Sequence, residues 1–463
     1  MTTTAQSAPP IEPGISLTLA QWRVQHYRDI RYSLRIQLVE GSAVLKGNLE
    51  IRAKLPPKPV DVVLDWRGAP VRDVRVNGVT ATPEVGNEHL VISKKLLKGG
   101  NNTVQLAFES PVAVTGSAVT RYQDREDGSE YLYSLLVPAD AKAHAGEVLR
   151  LNREATAYFE RYFARKFPFA TAKATEALLP EFDAWTAFHA LKLGAVRADA
   201  TRGTTAIRYP LANLADAKSA YGAIVYAKGP AVLRQAEFFL GEPVFRRAVR
   251  DFVRRHAFSA AGWQDLVRAF ERASGRKLGR WAAAWVERRG MPTVRVAGGR
   301  LEQQDALGEG GLWPMKLRVL TQGHSEDVFL EKRILKIKTP AHPSLVLPNA
   351  GDFGYGRFLL DAQSIDIALA TSFEPGSTLL QAQLVEALWE SVRDAELPPG
   401  RFLGFAISEL PKTRDDIAVS GLLALIEAAF RRYLNNAQRD ALAPALERAV
   451  RIRGRFSARF DGS

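Results

Sequence analysis

The residues best suited to metal or general-base chemistry are seven histidines: His26, His89, His144, His189, His256, His324 and His342. Histidine binds zinc and exchanges protons near neutral pH. A zinc hydrolase commonly carries two on one helix as H-E-x-x-H, one turn apart with a general-base Glu between them. Here no two histidines lie within four positions, and none is followed by Glu. No sequence-local pair of zinc ligands can be built. His189, in Trp185–His189, reads as a helix residue packed beside aromatics. His324, in Gly323–Asp327, reads as part of a polar turn. The nucleophile elbow G-x-S-x-G and the phosphate loop G-x-x-x-x-G-K-[ST] are both absent. Gly354-Tyr355-Gly356 lacks a strand–turn–helix setting and reads as a turn. With no cysteine, the chain has no thiolate nucleophile, disulfide, Cys-ligated zinc or iron–sulfur cluster.

At 463 residues, the chain is long enough for three or four domains. Its charged fraction of 24% suits a soluble globular protein. The longest apolar runs, such as 421–426, are too short to span a bilayer. Residues 1–13 are polar and proline-containing, with no basic stretch followed by an apolar one. The expectation is a cytoplasmic protein without a membrane partner. The net charge of +13 raises a nucleic-acid reading. Most of it lies in residues 147–293, with 25 Lys/Arg against 14 Asp/Glu. Its arginine pairs, Arg246-Arg247 and Arg254-Arg255, alternate with Phe245, Val249, Phe252 and Val253. That pattern favours a solvated helix face opposite an apolar stripe.

These residues sit in four stretches of different texture. Apolar residues recur every second position at Tyr32, Leu34, Ile36 and Leu38, and again from Leu49 to Leu55. That period predicts strands with one buried face. Asn77-Gly78 marks a hairpin. From about residue 145 the period becomes helical over 147–167, 171–179, 183–198, 215–240, 242–257, 261–274 and 278–289. Alternation returns from Pro292, and helical spacing resumes after Pro375 until about residue 450. The expected fold is multidomain α+β. Its regions are an N-terminal β-sandwich (1–145), a helical block (146–292), a small β-sandwich (293–373) and a C-terminal helical region (374–463).

Several segments resemble the aminopeptidase N family of zinc metallopeptidases. Tyr32–Leu55 resembles the opening strands of its N-terminal domain. Residues 130–141 resemble the strand leading to the substrate-side loop, with Ser134-Leu135 where members often carry Thr-Gln. Residues 155–169, ending Lys166-Phe167-Pro168-Phe169, resemble the entry to the catalytic domain. The most specific match is Ala220-Tyr221-Gly222-Ala223-Ile224-Val225-Tyr226-Ala227-Lys228-Gly229-Pro230. By that resemblance Tyr226 is the tyrosine that donates to the transition-state oxyanion, and Tyr221 lines the substrate pocket. Residues 281–292, 347–361 and 402–433 follow in the family's order.

The resemblance also implies a thermolysin-like catalytic domain with G-x-M-E-N, H-E-x-x-H and a later Glu ligand between the Lys-Phe-Pro-Phe turn and residue 172. None of these is in the sequence. The helical block, the N-terminal sandwich and the C-terminal helices are therefore expected to be truncated. No metal ligand is assigned, and no cofactor is expected for this chain, although the family uses zinc. The chain is expected to be hydrolytically inactive, with a peptide or protein as partner. A portion of an active zinc aminopeptidase, or a basic nucleic-acid-binding protein, stays open as an alternative. Apolar faces around 185–193 and 221–233 are expected to be uncovered, which would favour self-association.

Overall fold

A computed structural model describes residues 8–37, 39, 41–67, 71–113, 119–123, 130–133, 178, 182–217, 222–257, 259, 261–321, 324–338, 344–371 and 378–460. The chain is a multidomain α+β protein with N-terminal sheets, a helical block and C-terminal helices. It forms two compact units. One comprises Met1–Ala145 with Pro210–Ala220, the other Gly146–Tyr209 with Tyr221–Ser463. The expected helix at 147–167, and that at 171–179 apart from residue 178, lie outside the described residues. Among the described residues, no helix is long and apolar enough to cross a membrane.

In the first unit, helix α1 (Leu17–His26) starts at Ser16, whose side chain accepts from the Leu19 amide. That bond satisfies an amide left open at the helix start. Strands β1 (Arg28–Gln37), β2 (Val44–Leu55), β3 (Val62–Asp65), β4 (Val71–Val76), β5 (Val79–Thr80), β6 (Glu84–Gly86), β7 (His89–Ile92) and β8 (Gly100–Pro111) follow. They form one sheet in the order β1-β2-β8-β4-β5 and another in the order β3-β7-β6. Asn77 and Gly78 both take positive φ, 51° and 85°, and close the predicted β4–β5 hairpin. Leu55, Val63, Val74, Leu90, Val104 and Leu106 belong to the unit's shared core. Residues 210–220 join this unit through Ala212, whose carbonyl accepts from the Leu17 amide at 2.7 Å. Strands β9 (Thr120–Gln123) and β10 (Glu130–Tyr133) form a separate antiparallel pair.

One expectation fails here. The alternating face of β1 is not buried: Tyr32, Leu34 and Ile36 are exposed. Their cross-strand partners are Ile51, Leu49 and Gly47 on β2. The core includes Ile51 and Leu49 but stops short of β1, which is the sheet's edge. Leu38 lies outside the described residues.

The second unit begins its described helices with α2 (Ala184–Asp199), capped by Asp183. Helices α3 (Gly229–Leu240), α4 (Glu242–Arg255) and α5 (Trp263–Ser274) follow. The expected continuous helix over 215–240 is instead a short 3-10 turn at Leu214–Asp216, a π-helical turn at Ile224–Lys228, and α3. Strands β11 (Pro292–Ala297), β12 (Arg300–Asp305), β13 (Met315–Thr321), β14 (His324–Leu330), β15 (Ile334–Lys336), β16 (Val346–Leu347) and β17 (Arg357–Leu359) make two sheets, β15-β12-β11-β17 and β14-β13-β16. His324 begins a strand rather than sitting in a turn. Trp285 and Phe270 from the helices share one core with Val294, Leu301, Met315 and Leu317 from the strands. A second core unites α6 (Ala362–Ala370), α7 (Thr378–Arg393), α8 (Pro399–Glu409), α9 (Asp416–Arg432) and α10 (Asn436–Phe460). Helix α10 runs beyond residue 450, where no periodicity was legible.

Candidate functional site around Tyr226

Pro230 explains the π-helical turn. It has no N–H to give the Tyr226 carbonyl, and in an α-helix its ring would press on that same carbonyl. Widening the helix by one residue relieves both problems. The Tyr226 amide donates to the Gly222 carbonyl at 3.0 Å, and the Gly229 amide bonds to Ile224. The turn leaves Tyr226 59% exposed between the buried Ile224 and Ala227. Helix α2 packs against it. Tyr221 lies outside the described residues.

Beneath the turn, Lys228 is fully buried. Its Nζ lies 2.7 Å from Asp199 Oδ2 and donates to the Gly290 carbonyl at 2.7 Å. Asp199, at the end of α2, accepts three further bonds. The donors are Thr204 Oγ1 at 2.6 Å, the Gly290 amide at 3.2 Å and the Tyr355 hydroxyl at 3.1 Å. Burial drives the Tyr355 phenol far above its ordinary range, and the Asp199 charge adds to this. Burial pulls the Lys228 ammonium down, and Asp199 opposes that pull. A charge pair taken out of water holds only when its remaining hydrogen-bonding positions are also filled. This network fills them, so the backbone under Tyr226 is clamped to α2 and to the turn before β11.

A second polar cluster lies between α2, α7 and the 349–356 turn. His189 is on a helix, as expected, and its Nδ1 is 3.1 Å from Asp352 Oδ2. That is the distance of a hydrogen bond without its direction. Lys192 donates to Asp352 Oδ1 and to the Gly354 carbonyl. Although burial opposes it, Lys192 and His189 hold the Asp352 carboxyl well below the usual carboxylate range. Glu386 lines the same cavity. Burial, with the neighbouring Glu390 charge, pushes its carboxyl up to about 7.

This cluster does not fit zinc. Lys192 already occupies Asp352 with a positive charge, which would oppose a dication. Among the described residues, no group of three His, Cys, Asp or Glu side chains could hold a metal ion. The arginines of α4 face a different acidic group. Arg254 and Arg255 reach Asp251 at 2.8 Å, and Arg272 of α5 at 2.9 Å. These bonds, Arg254 first, hold the Asp251 carboxyl far below its ordinary range. Asp251 thus ties three arginines together but offsets only one of their charges, so this face stays net positive.

Residues 154–285 match the Peptidase family M1 domain, an interval that contains Tyr226, Lys228 and Asp199. The chain is 27% identical to an aminopeptidase N of Streptomyces lividans over 288 residues, 56% of this chain and 34% of that protein. It is 30% identical to aminopeptidase M1 of Arabidopsis thaliana over 135 residues, 29% of this chain and 15% of that protein. A tricorn protease-interacting factor F2 of Thermoplasma volcanium is 23% identical over 212 residues, 44% and 26% of the two chains. These matches support a likeness to the aminopeptidase N family, centred on residues 154–285. Within them the chain spans about a third or less of its relatives' length.

Of the site residues named from the sequence, Tyr226 is the one that the structure describes. The buried partners were not foreseen. Lys228 carried a local signal beside Gly229-Pro230, but Asp199 and Tyr355 carried none, being 156 residues apart.

Proposed function

We propose that this chain is an aminopeptidase-type scaffold that binds an extended peptide at the Tyr226 face and does not hydrolyse it alone. The observation that carries the reading is an exposed phenol on a π-helical turn anchored from beneath by the Lys228–Asp199 pair. A phenol hydroxyl is a donor that suits a peptide carbonyl, and the clamped backbone at Tyr226 limits the ordering cost of such a bond. Phe182, Leu191 and Leu233 also expose apolar surface in the same unit.

Hydrolysis asks for more. In this family zinc polarises the scissile carbonyl and acidifies the attacking water. The sequence has no H-E-x-x-H, and the described acidic and histidine side chains do not assemble a substitute. One oxyanion donor supplies about 2.7–4 kcal/mol, where enzymatic rate enhancement needs about 8–23. Tyr226 can orient a carbonyl, therefore, but cannot carry the reaction. A second reading is that this chain is part of an active zinc aminopeptidase, with ligands supplied outside it. The fraction of its relatives' length that it spans favours that reading.

The test is hydrolysis of a panel of aminoacyl anilides by the purified chain, with and without chelator, beside binding of labelled peptides. The expected result is no chelator-sensitive turnover, with saturable peptide binding that weakens several-fold in Tyr226→Phe. Chelator-sensitive turnover would establish the second reading. Unchanged binding in Tyr226→Phe would remove the phenol from the site.

A further inference from the structure

Strand β1 ends its sheet, and among the described residues no strand pairs with its outer edge. All ten of its residues are exposed. Natural sheets usually blunt such an edge by shortening it, bending it or placing a charge on its inner face. Here a bulge between Arg28 and Arg31, with Asp29 at φ 49°, disturbs only the beginning. From Arg31 to Gln37 its register is unbroken, and ten residues is long for a strand.

Its two faces differ in chemistry. Ile30, Tyr32, Leu34 and Ile36 form an apolar row, with Tyr32 65% and Leu34 54% exposed. That row continues the apolar face of β2, where Tyr32 stands opposite Ile51 and Leu34 opposite Leu49. The other face carries Arg31 and Arg35 on β1, with Arg52 opposite Arg31 and Lys46 opposite Gln37. All four cations are exposed. Glu50, on the same face, is already engaged by Arg52 and Gln105.

We propose that β1 is a docking edge for an extended segment of a partner protein that alternates apolar and acidic side chains and joins the sheet as an additional strand. Main-chain bonds along the edge supply affinity, and alternate side chains supply specificity. The partner's apolar side chains cover Tyr32, Leu34 and Ile36, and its carboxylates meet Arg31 and Arg35. A second copy of this chain fits less well, because extending the sheet would set this basic face beside its own image. A nucleic acid could use the arginines but would leave the apolar row uncovered.

The test uses the full chain and a fluorescein-labelled peptide of alternating Val and Glu, ten residues long, read by anisotropy. Saturable binding is expected, together with slowed hydrogen exchange at alternate β1 amides. Arg31→Glu with Arg35→Glu should weaken it about tenfold or more. Arg31→Lys with Arg35→Lys should preserve it, and an unchanged thermal unfolding midpoint in the Arg31→Glu, Arg35→Glu variant shows that its loss is not misfolding. A peptide N-methylated at alternate positions should lose binding with its charge unchanged. The proposal is overturned by equal binding of a Val–Lys peptide, by undiminished binding of the N-methylated one, or by no saturable binding. It is also overturned if sedimentation shows a peptide-free dimer with β1 amides already protected, or if a DNA duplex alone protects them.

Discussion

At Lys228 the chemistry of a single side chain can be separated from that of its neighbour. The ammonium is buried against Asp199, and Asp199 has no solvent to fall back on. Lys228→Ala is expected to cost about 3–5 kcal/mol, because it leaves a buried charge uncompensated. Tyr226→Phe, two residues away and exposed, should stay within about 0.5 kcal/mol. Urea unfolding of both variants checks the contrast. If Tyr226→Phe alone is neutral for stability, its effect on peptide binding reports the phenol itself. Glu386 adds a pH dependence. Burial raises its carboxyl from 4.5 to about 7, so the folded state holds the proton more tightly than the unfolded state. Its contribution is fully present below pH 4.5 and is lost as pH rises through about 7. Asp352 works the other way, and its contribution fades only in stronger acid. The melting temperature of this unit is expected to fall from pH 4.5 to 7 in calorimetry, and Glu386→Gln should flatten that fall.

Two turns show how elements are ended and bent. Pro230 forces the π-helical turn that presents Tyr226, because the α-helical alternative would lack a donor and crowd a carbonyl. Gly275 ends α5 in the left-handed region at φ 69°, and its amide returns to the Glu271 carbonyl. That conformation suits glycine, since a Cβ there meets the following carbonyl oxygen. A Cβ at Gly275 would touch nothing else within 4 Å. Gly275→Ala should therefore cost only the conformational term, about 1–2 kcal/mol. Thermal unfolding measures it, and a larger loss would mean that α5 ends for another reason.

The first unit has an apolar core centred on Leu90, Ile92 and Val63, and the second has two, one centred on Trp285, Trp313 and Met315 and one on Leu388, Phe402 and Leu403. A unit with its own core can unfold on its own. Calorimetry is expected to resolve at least two transitions, with Lys228→Ala shifting that of the second unit and leaving that of the first in place. A single transition that moves as a whole in that variant would count against independent folding. Within the second unit, helices and strands share Trp285, Val294 and Leu301, so a break between them should not appear as a further transition.

Much of this molecule is legible in its residues because local rules govern it. The period of two, the Asn77-Gly78 hairpin, the spacing of α3 to α5 and the break at Gly241 between α3 and α4 follow from backbone sterics and amphipathic pattern. The family resemblance around Tyr226 was readable too, since its signal is a short contiguous motif. The exposure of β1 was not readable. Alternation says that one face is apolar, but not whether an opposing sheet reaches far enough to cover it. Nor could spacing reveal that Lys228, Asp199 and Tyr355 share one buried network, or that His189 meets Asp352. Such pairings depend on how distant segments pack, and no short-range pattern encodes which buried charges will find each other.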